Sequence, residues 1–170
     1  MSPRVSAAMV AAGRVVGEPR LAPDGATVAF VATSRGRSDL VLVPATGGPE
    51  VVLSTEPAPL SARADGGGVF DWLPDGSGLV YAARDDGLWR QPIGGGPPTR
   101  VVGAHVDGAV AAPSVSPEGD RVAYVVDERH IAVASLEPNG PWPVRLTTRA
   151  DFAFDPTWSA DGVAVAWHEW

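Results

Sequence analysis

The chain has 170 residues, a net charge of −7 and no cysteine. Its length allows one sizeable core. The missing thiols exclude a disulfide framework and thiolate chemistry, and the acidic balance disfavours nucleic acid, whose phosphates need concentrated positive charge. All 13 basic residues are arginine, and with the abundance of Ala, Gly, Pro and Val this points to a GC-rich genome. The 20 glycines and 17 prolines fall at regular intervals and not in one linker, which indicates turn-rich β-structure instead of disorder.

Residues 2–13 read as the one helical stretch. Ser2 suits the N-cap, Pro3 the first turn and Gly13 the stop, with Val5, Ala8, Met9 and Ala12 on one face. Residues 1–16 are therefore expected to form a short helical segment packed on the edge of the rest of the chain. A signal peptide is the rival reading. Arg4 and Arg14 interrupt its short apolar run, and the first repeat comes directly after it. No later stretch approaches the roughly 18 apolar residues of a membrane span, so the expectation is a cytoplasmic protein with no membrane partner.

From residue 17 onward one pattern occurs four times. Its anchors are Asp24-Gly25, Asp75-Gly76, Glu118-Gly119 and Asp161-Gly162, whose glycines are 51, 43 and 43 residues apart. Four positions before each glycine stands Leu21, Trp72, Val115 or Trp158; five positions after it stands an aromatic every time, Phe30, Tyr81, Tyr124 or Trp167. Proline lies two before the glycine in three units (Pro23, Pro74, Pro117; Ala160 in the fourth). It lies six before in three (Pro19, Pro113, Pro156; Phe70 in the second). Pro-Asp-Gly supplies a fixed φ, a side-chain acceptor and a residue that tolerates positive φ, the chemistry of a tight turn between strands. The run after it alternates with the period of two that a strand requires.

Each anchor is thus the first hairpin of a longer unit. The first unit continues with strands 27–32, 39–44 and 50–53, the second with 78–83, 87–92 and 99–102, the third with 121–126, 130–135 and 143–146. Turns rich in Gly, Pro, Asp and Asn separate them. Four antiparallel strands repeated every 40–45 residues or so make the blade of a propeller. The expected fold is all-β: a partial β-propeller of three four-stranded blades and the start of a fourth, occupying 17–170, with blades near 17–54, 68–103, 109–147 and 151–170. Residues 54–68 read as an inter-blade loop. The recurrent aromatics are expected to fill the seams between blades, with a ligand platform as the alternative.

Leu21-Ala22-Pro23-Asp24-Gly25, Trp72-Leu73-Pro74-Asp75-Gly76, Val115-Ser116-Pro117-Glu118-Gly119 and Trp158-Ser159-Ala160-Asp161-Gly162 resemble the Pro-Asp propeller repeats of TolB-type proteins. The same repeats occur in the amino-terminal propeller of serine peptidases of the prolyl oligopeptidase (S9) class. The opening Gly17-Glu18-Pro19-Arg20-Leu21 segment resembles bacterial acylaminoacyl-peptidase-like members. The resemblance implies a non-catalytic propeller portion that gates and scaffolds an S9-type peptidase. The Ser-His-Asp triad of such an enzyme would lie in a separate α/β-hydrolase domain. No Gly-x-Ser-x-Gly elbow occurs here, so no family catalytic residue is carried over and this chain alone is expected to be inactive. The alternative is a stand-alone TolB-like module for protein–protein interaction.

No catalytic, cofactor-binding or metal-binding residue is expected. The triple glycines at 66–68 and 94–96 lack the strand-to-helix setting of a phosphate loop. His105, His130 and His168 share no ligand spacing. Asp85-Asp86-Gly87 reads as a hairpin turn and not a calcium loop, Arg35 and Arg37 as solvated loop charge. Asp151 and Asp155, flanking Phe152 and Phe154, simply enter the fourth unit. Closed propellers have at least about four blades. The chain is therefore expected to be part of a longer protein whose remaining blades and hydrolase domain complete it, or else to pair with a second copy over its open edge. Peptide substrate would be met only through such a parent.

Overall fold

The computed structural model describes residues 13–53, 56–61, 68–103, 108–148 and 151–170. Among these there are strands and no helix; apart from Gly13, the helix expected over 2–13 lies outside the described residues. β1 (Val15–Leu21), β2 (Thr27–Ser34), β3 (Arg37–Pro44) and β4 (Val51–Leu53) form the first sheet, in that order. β5 (Phe70–Trp72), β6 (Gly78–Ala82), β7 (Leu88–Pro92) and β8 (Thr99–Val102) form the second. β9 (Val110–Val115), β10 (Arg121–Val126), β11 (His130–Ser135) and β12 (Val144–Arg145) form the third. β13 (Ala153–Trp158) and β14 (Val165–Glu169) make a two-stranded sheet. All pairings are antiparallel, and β9 packs against both β5 and β13, so the sheets stack side by side as blades with their first strands innermost. The fold is a partial β-propeller.

Three strands have the expected bounds. β2 and β3 are each two residues longer, because Arg35 (φ 50) and Gly36 (φ 78) turn so tightly that Thr33 still pairs with Ser38 and Ser34 with Arg37. The other differences are of a residue or two at strand ends.

The four Asp/Glu-Gly turns are closed alike. The glycine N–H donates to Ala22, Leu73, Ser116 or Ser159 carbonyl, 2.9 Å in every unit, with glycine φ between 67 and 73. Asp24, Asp75 and Asp161 each accept a backbone N–H two residues on, at 2.9, 2.9 and 3.1 Å. Glu118 is one methylene longer and makes no such bond among the described residues. There the Ser116 hydroxyl takes over, accepting from Arg121 N at 3.0 Å and donating to Asp120 at 2.8 Å.

Prolines six before the glycine have a role that the turn pattern does not reveal. Pro19, Pro113 and Pro156 each follow a residue in the left-handed region, Glu18 (φ 55), Ala112 (φ 51) and Asp155 (φ 52), and at each the register of the first hairpin shifts by a bulge. Proline lacks the N–H a ladder needs, so it is tolerated within a strand where a bulge interrupts pairing. In the second unit Phe70 replaces it, and β5 pairs with β6 without a bulge.

Both faces of the second strand are covered in the first three blades, whereas in the fourth β14 leaves Ala166 and His168 exposed. Leu79, Tyr81 and Ala83 pack with Ala29, Val31 and Leu40 of the first blade, whereas Val80 and Ala82 pack with Val122, Tyr124 and Val126 of the third. Val125 and Ile131 turn to Ala153, Val165 and Trp167 of the fourth. Thus Tyr81, Tyr124 and Trp167 each fill the seam toward the preceding blade, as expected of inter-blade core. Phe30, at the same register, lies with Ala32 and Val41 on the other face of the first blade. Burial of such a side chain stabilises by roughly 1.5–3 kcal/mol.

Candidate functional site

The polar residues of the innermost strands lie at one register, five before each glycine: Arg20, Asp71, Ser114 and Thr157. The next residue is tryptophan in two units, and its indole reaches back across the seam. Trp72 Nε1 donates to Arg20 O at 3.2 Å and Trp158 Nε1 to Ser114 O at 2.9 Å. In the third blade valine occupies that position and has no side-chain donor. There the Val115 N–H donates instead to Asp71 Oδ2 at 2.9 Å. Each seam is therefore crossed by a bond at the same height, worth about 1 kcal/mol for each indole and about 1.5–3 kcal/mol where the acceptor is the Asp71 carboxylate.

Asp71 joins three blades. Its Oδ1 accepts from Trp72 N at 3.0 Å and pairs with Arg20 at 3.1 Å, while Oδ2 holds Val115 of the next blade. Burial raises its pKa above the usual carboxylate value, and the Val115 bond, the Arg20 charge and the Trp72 bond pull the other way without cancelling it. Arg20 also lies over the Phe70 ring, and Glu18 accepts from Val69 N, so the two bulge-region side chains of β1 both grip the second blade. At the last seam Arg121 stacks over Trp158 and donates to Gly162 O at 2.9 Å. These groups are occupied with one another. What the arrangement does chemically is hold blades in register.

The residues singled out in the sequence are dispersed. His130 Nδ1 lies 3.3 Å from the Thr147 hydroxyl, which also accepts from Ile131 N at 3.1 Å and so fastens the end of the third blade. His168 is exposed, 3.9 Å from Asp155; His105 lies outside the described residues. Asp85 closes its hairpin as expected, accepting from Gly87 N at 3.2 Å and Trp89 Nε1 at 3.0 Å, and also pairs with Arg100. Burial pushes its pKa up, but these donors and the Arg100 charge together outweigh that and leave it lowered. Arg37 is tied to Asp39 and Glu56 and not merely solvated, whereas Arg35 is exposed at a turn. Asp151 is exposed, and Phe152 and Phe154 stack with Trp170 in a surface cluster with centroids 5.6–6.4 Å apart. Among the described residues no three of His, Asp and Glu gather as metal ligands.

A concave site that the repeat pattern did not point to opens between the outer parts of the second and third blades. It is a groove of about 850 Å³ between β8 and the segment that comes after β11. Val101, Val102, Ala134 and Leu136 form its apolar floor, residues 137–143 one wall, and Arg90 with Thr99 the other.

Repeated four-stranded blades, seams filled from the same register and an outer groove define a propeller module. The chain belongs to the family described as the lipoprotein LpqB β-propeller domain (Gmad1), which matches residues 4–169. Among solved structures it is similar to TolB from Acinetobacter baumannii, with 20% identity and a TM-score of 0.68 over 90% of this chain and 37% of that one. It is also similar to a prolyl endopeptidase (16% identity, TM-score 0.59, 87% of this chain and 24% of that one). The tricorn protease gives 16% identity and a TM-score of 0.60 over 81% of this chain and 14% of that one. These likenesses show the fold. The chain spans little more than a third of the TolB structure and less of the two proteases. No curated protein matches it.

Proposed function

We propose that this chain is a non-catalytic recognition and scaffold propeller that works by presenting its rim and grooves to a protein partner. The observation that carries the reading is the family match over 4–169, a propeller named for a lipoprotein, together with the TolB likeness. The inner-strand charges support it too: Arg20 and Asp71 are committed to each other across the first seam instead of converging on a cavity. A second reading, the gating propeller of an S9-type serine peptidase, is favoured by the prolyl endopeptidase and tricorn likenesses. In it the acyl-transfer machinery belongs to a hydrolase domain outside these residues.

The two readings separate on one experiment. The reading frame of the gene is traced past Trp170, and its full product is assayed with chromogenic peptide and ester substrates. The recognition reading expects further blades or a stop, and no turnover. A Gly-x-Ser-x-Gly domain with turnover abolished by a serine-directed inhibitor overturns it in favour of the peptidase. The lipoprotein in the family description also favours residence at a membrane surface over the cytoplasm expected from the sequence. Fractionation of the native cell distinguishes these.

A further inference from the structure

We propose that the groove between the second and third blades binds an extended peptide carrying an apolar side chain and, two residues away, a carboxylate. The inference deepens the recognition reading and rests on it. Four observations carry it. The floor is the edge of an inter-blade core, where Val102, Ala134 and Leu136 are buried and Val101 half-buried, so an apolar side chain laid over them extends packing that already exists. β8 is bonded on one side only, to β7, and its outer edge is free among the described residues to pair with an added strand. The third is the wall after β11, which is pre-shaped.

Pro138, Pro141 and Pro143 fix its φ angles, and the Ser135 hydroxyl accepts from Glu137 N at 3.1 Å. Gly140 sits so close that a Cβ there would lie 2.3 Å from the Ser135 hydroxyl. A wall already ordered loses little entropy on binding. On it stands Trp142, 91% exposed, able to close over a bound side chain.

The fourth observation is charge. Two arginines line one wall of the groove, and Glu137 on the other is its one lining carboxylate. Arg100 is engaged, paired with Asp85 and stacked 4.9 Å over Trp89. Arg90 forms no ion pair among the described residues and acts on Asp75 only through space. In a chain of net charge −7 a half-buried cation that makes no ion pair among the described residues selects an anion at that point. Arg90 and Thr99 are cross-strand partners on the groove side. A strand added along β8 projects every second side chain toward the groove, which sets the spacing of two between apolar and acidic residues.

The test uses the full chain and a fluorescein-labelled peptide, Gly-Ser-Thr-Leu-Thr-Asp-Ser-Gly, monitored by fluorescence anisotropy. Its partner is the same peptide with Asn for Asp. The expected result is saturable binding that weakens about tenfold for the Asn peptide. Arg90→Ala should erase that difference, with both peptides binding as the Asn peptide binds the parent. Trp142→Ala, at an exposed position that folding does not need, should weaken both peptides equally and keep the Asp preference. Absence of saturable binding at millimolar peptide overturns the proposal. So does an Asp preference that survives in Arg90→Ala, or binding indifferent to Trp142→Ala. Such a failure, with a protein partner still bound elsewhere on the rim, would leave the recognition reading intact.

Discussion

Tyr81 offers the sharpest test of the seams. Its ring is fully buried between the first two blades, among Ala29, Val31, Leu40 and Trp72, and its hydroxyl donates to Pro57 O at 2.9 Å. Tyr81→Ala removes a whole ring from a packed interface, which costs about 3–5 kcal/mol. Tyr81→Phe keeps the ring and leaves the carbonyl without its donor, a loss of about 1 kcal/mol. In a domain of this size each kcal/mol moves Tm by about 2–4 °C. The Ala variant should therefore melt roughly 6–20 °C below the parent and the Phe variant about 2–4 °C below it. Trp142→Ala, an exposed control, should change Tm by no more than about 2 °C, within the roughly 0.5 kcal/mol scatter of surface substitutions. Circular dichroism melts at one protein concentration measure all three. A Tyr81→Ala variant within 2 °C or so of the parent would refute inter-blade burial of this ring.

Asp71→Ala should cost about 3 kcal/mol by leaving Arg20 and the Val115 N–H without their acceptor, and Asp71→Asn about half that, since one oxygen remains; urea titrations compare them. Gly76→Val should cost about 1–2 kcal/mol in the same assay. Its φ of 69 disfavours a β-branched residue, although nothing within 4 Å obstructs the side chain. Burial raises the phenol pKa of both Tyr81 and Tyr124 above the ordinary 10.0. A folded-state pKa above the unfolded one means that the contribution is intact below pH 10 or so and is lost as pH rises further. Stability should fall above that pH, and the fall should be shallower in Tyr81→Phe. Asp75, Asp120 and Asp161 are shifted the opposite way, by hydrogen bonds from Ser77, Ser116 and Ser159 respectively. Their small contributions should vanish as pH drops below about 4, whereas ionisation of Asp71 opposes folding and acid relieves it.

The architecture was legible because its signals are local. Asp-Gly turns, alternation and the aromatic five residues later all act within a dozen residues, and four copies reinforce one another. The seam aromatics were legible for the same reason: a strand buried on both faces reads as an apolar run with one large ring. What the pattern did not show depends on contacts far apart in the chain. Asp71 reads as one more strand residue until Val115, 44 positions on, is brought to it. The groove needs Val102 and Leu136 side by side. One missed feature did leave a local trace. A proline inside a strand, as at Pro19, Pro113 and Pro156, signals a bulge, and Phe70 signals its loss.

The central claim is that in every blade after the first the aromatic fills the seam toward the blade before it, and the chain's two tyrosines make this directly measurable. Ring-labelled tyrosine in an otherwise deuterated, methyl-labelled protein gives two sets of nuclear Overhauser contacts. One ring, Tyr81, should touch methyls of Ala29 or Val31 in the first blade, and the other, Tyr124, those of Val80 or Leu88 in the second. Contacts from Tyr124 to Ala153 or Val165 instead, or from both rings to their own blade alone, would contradict the account.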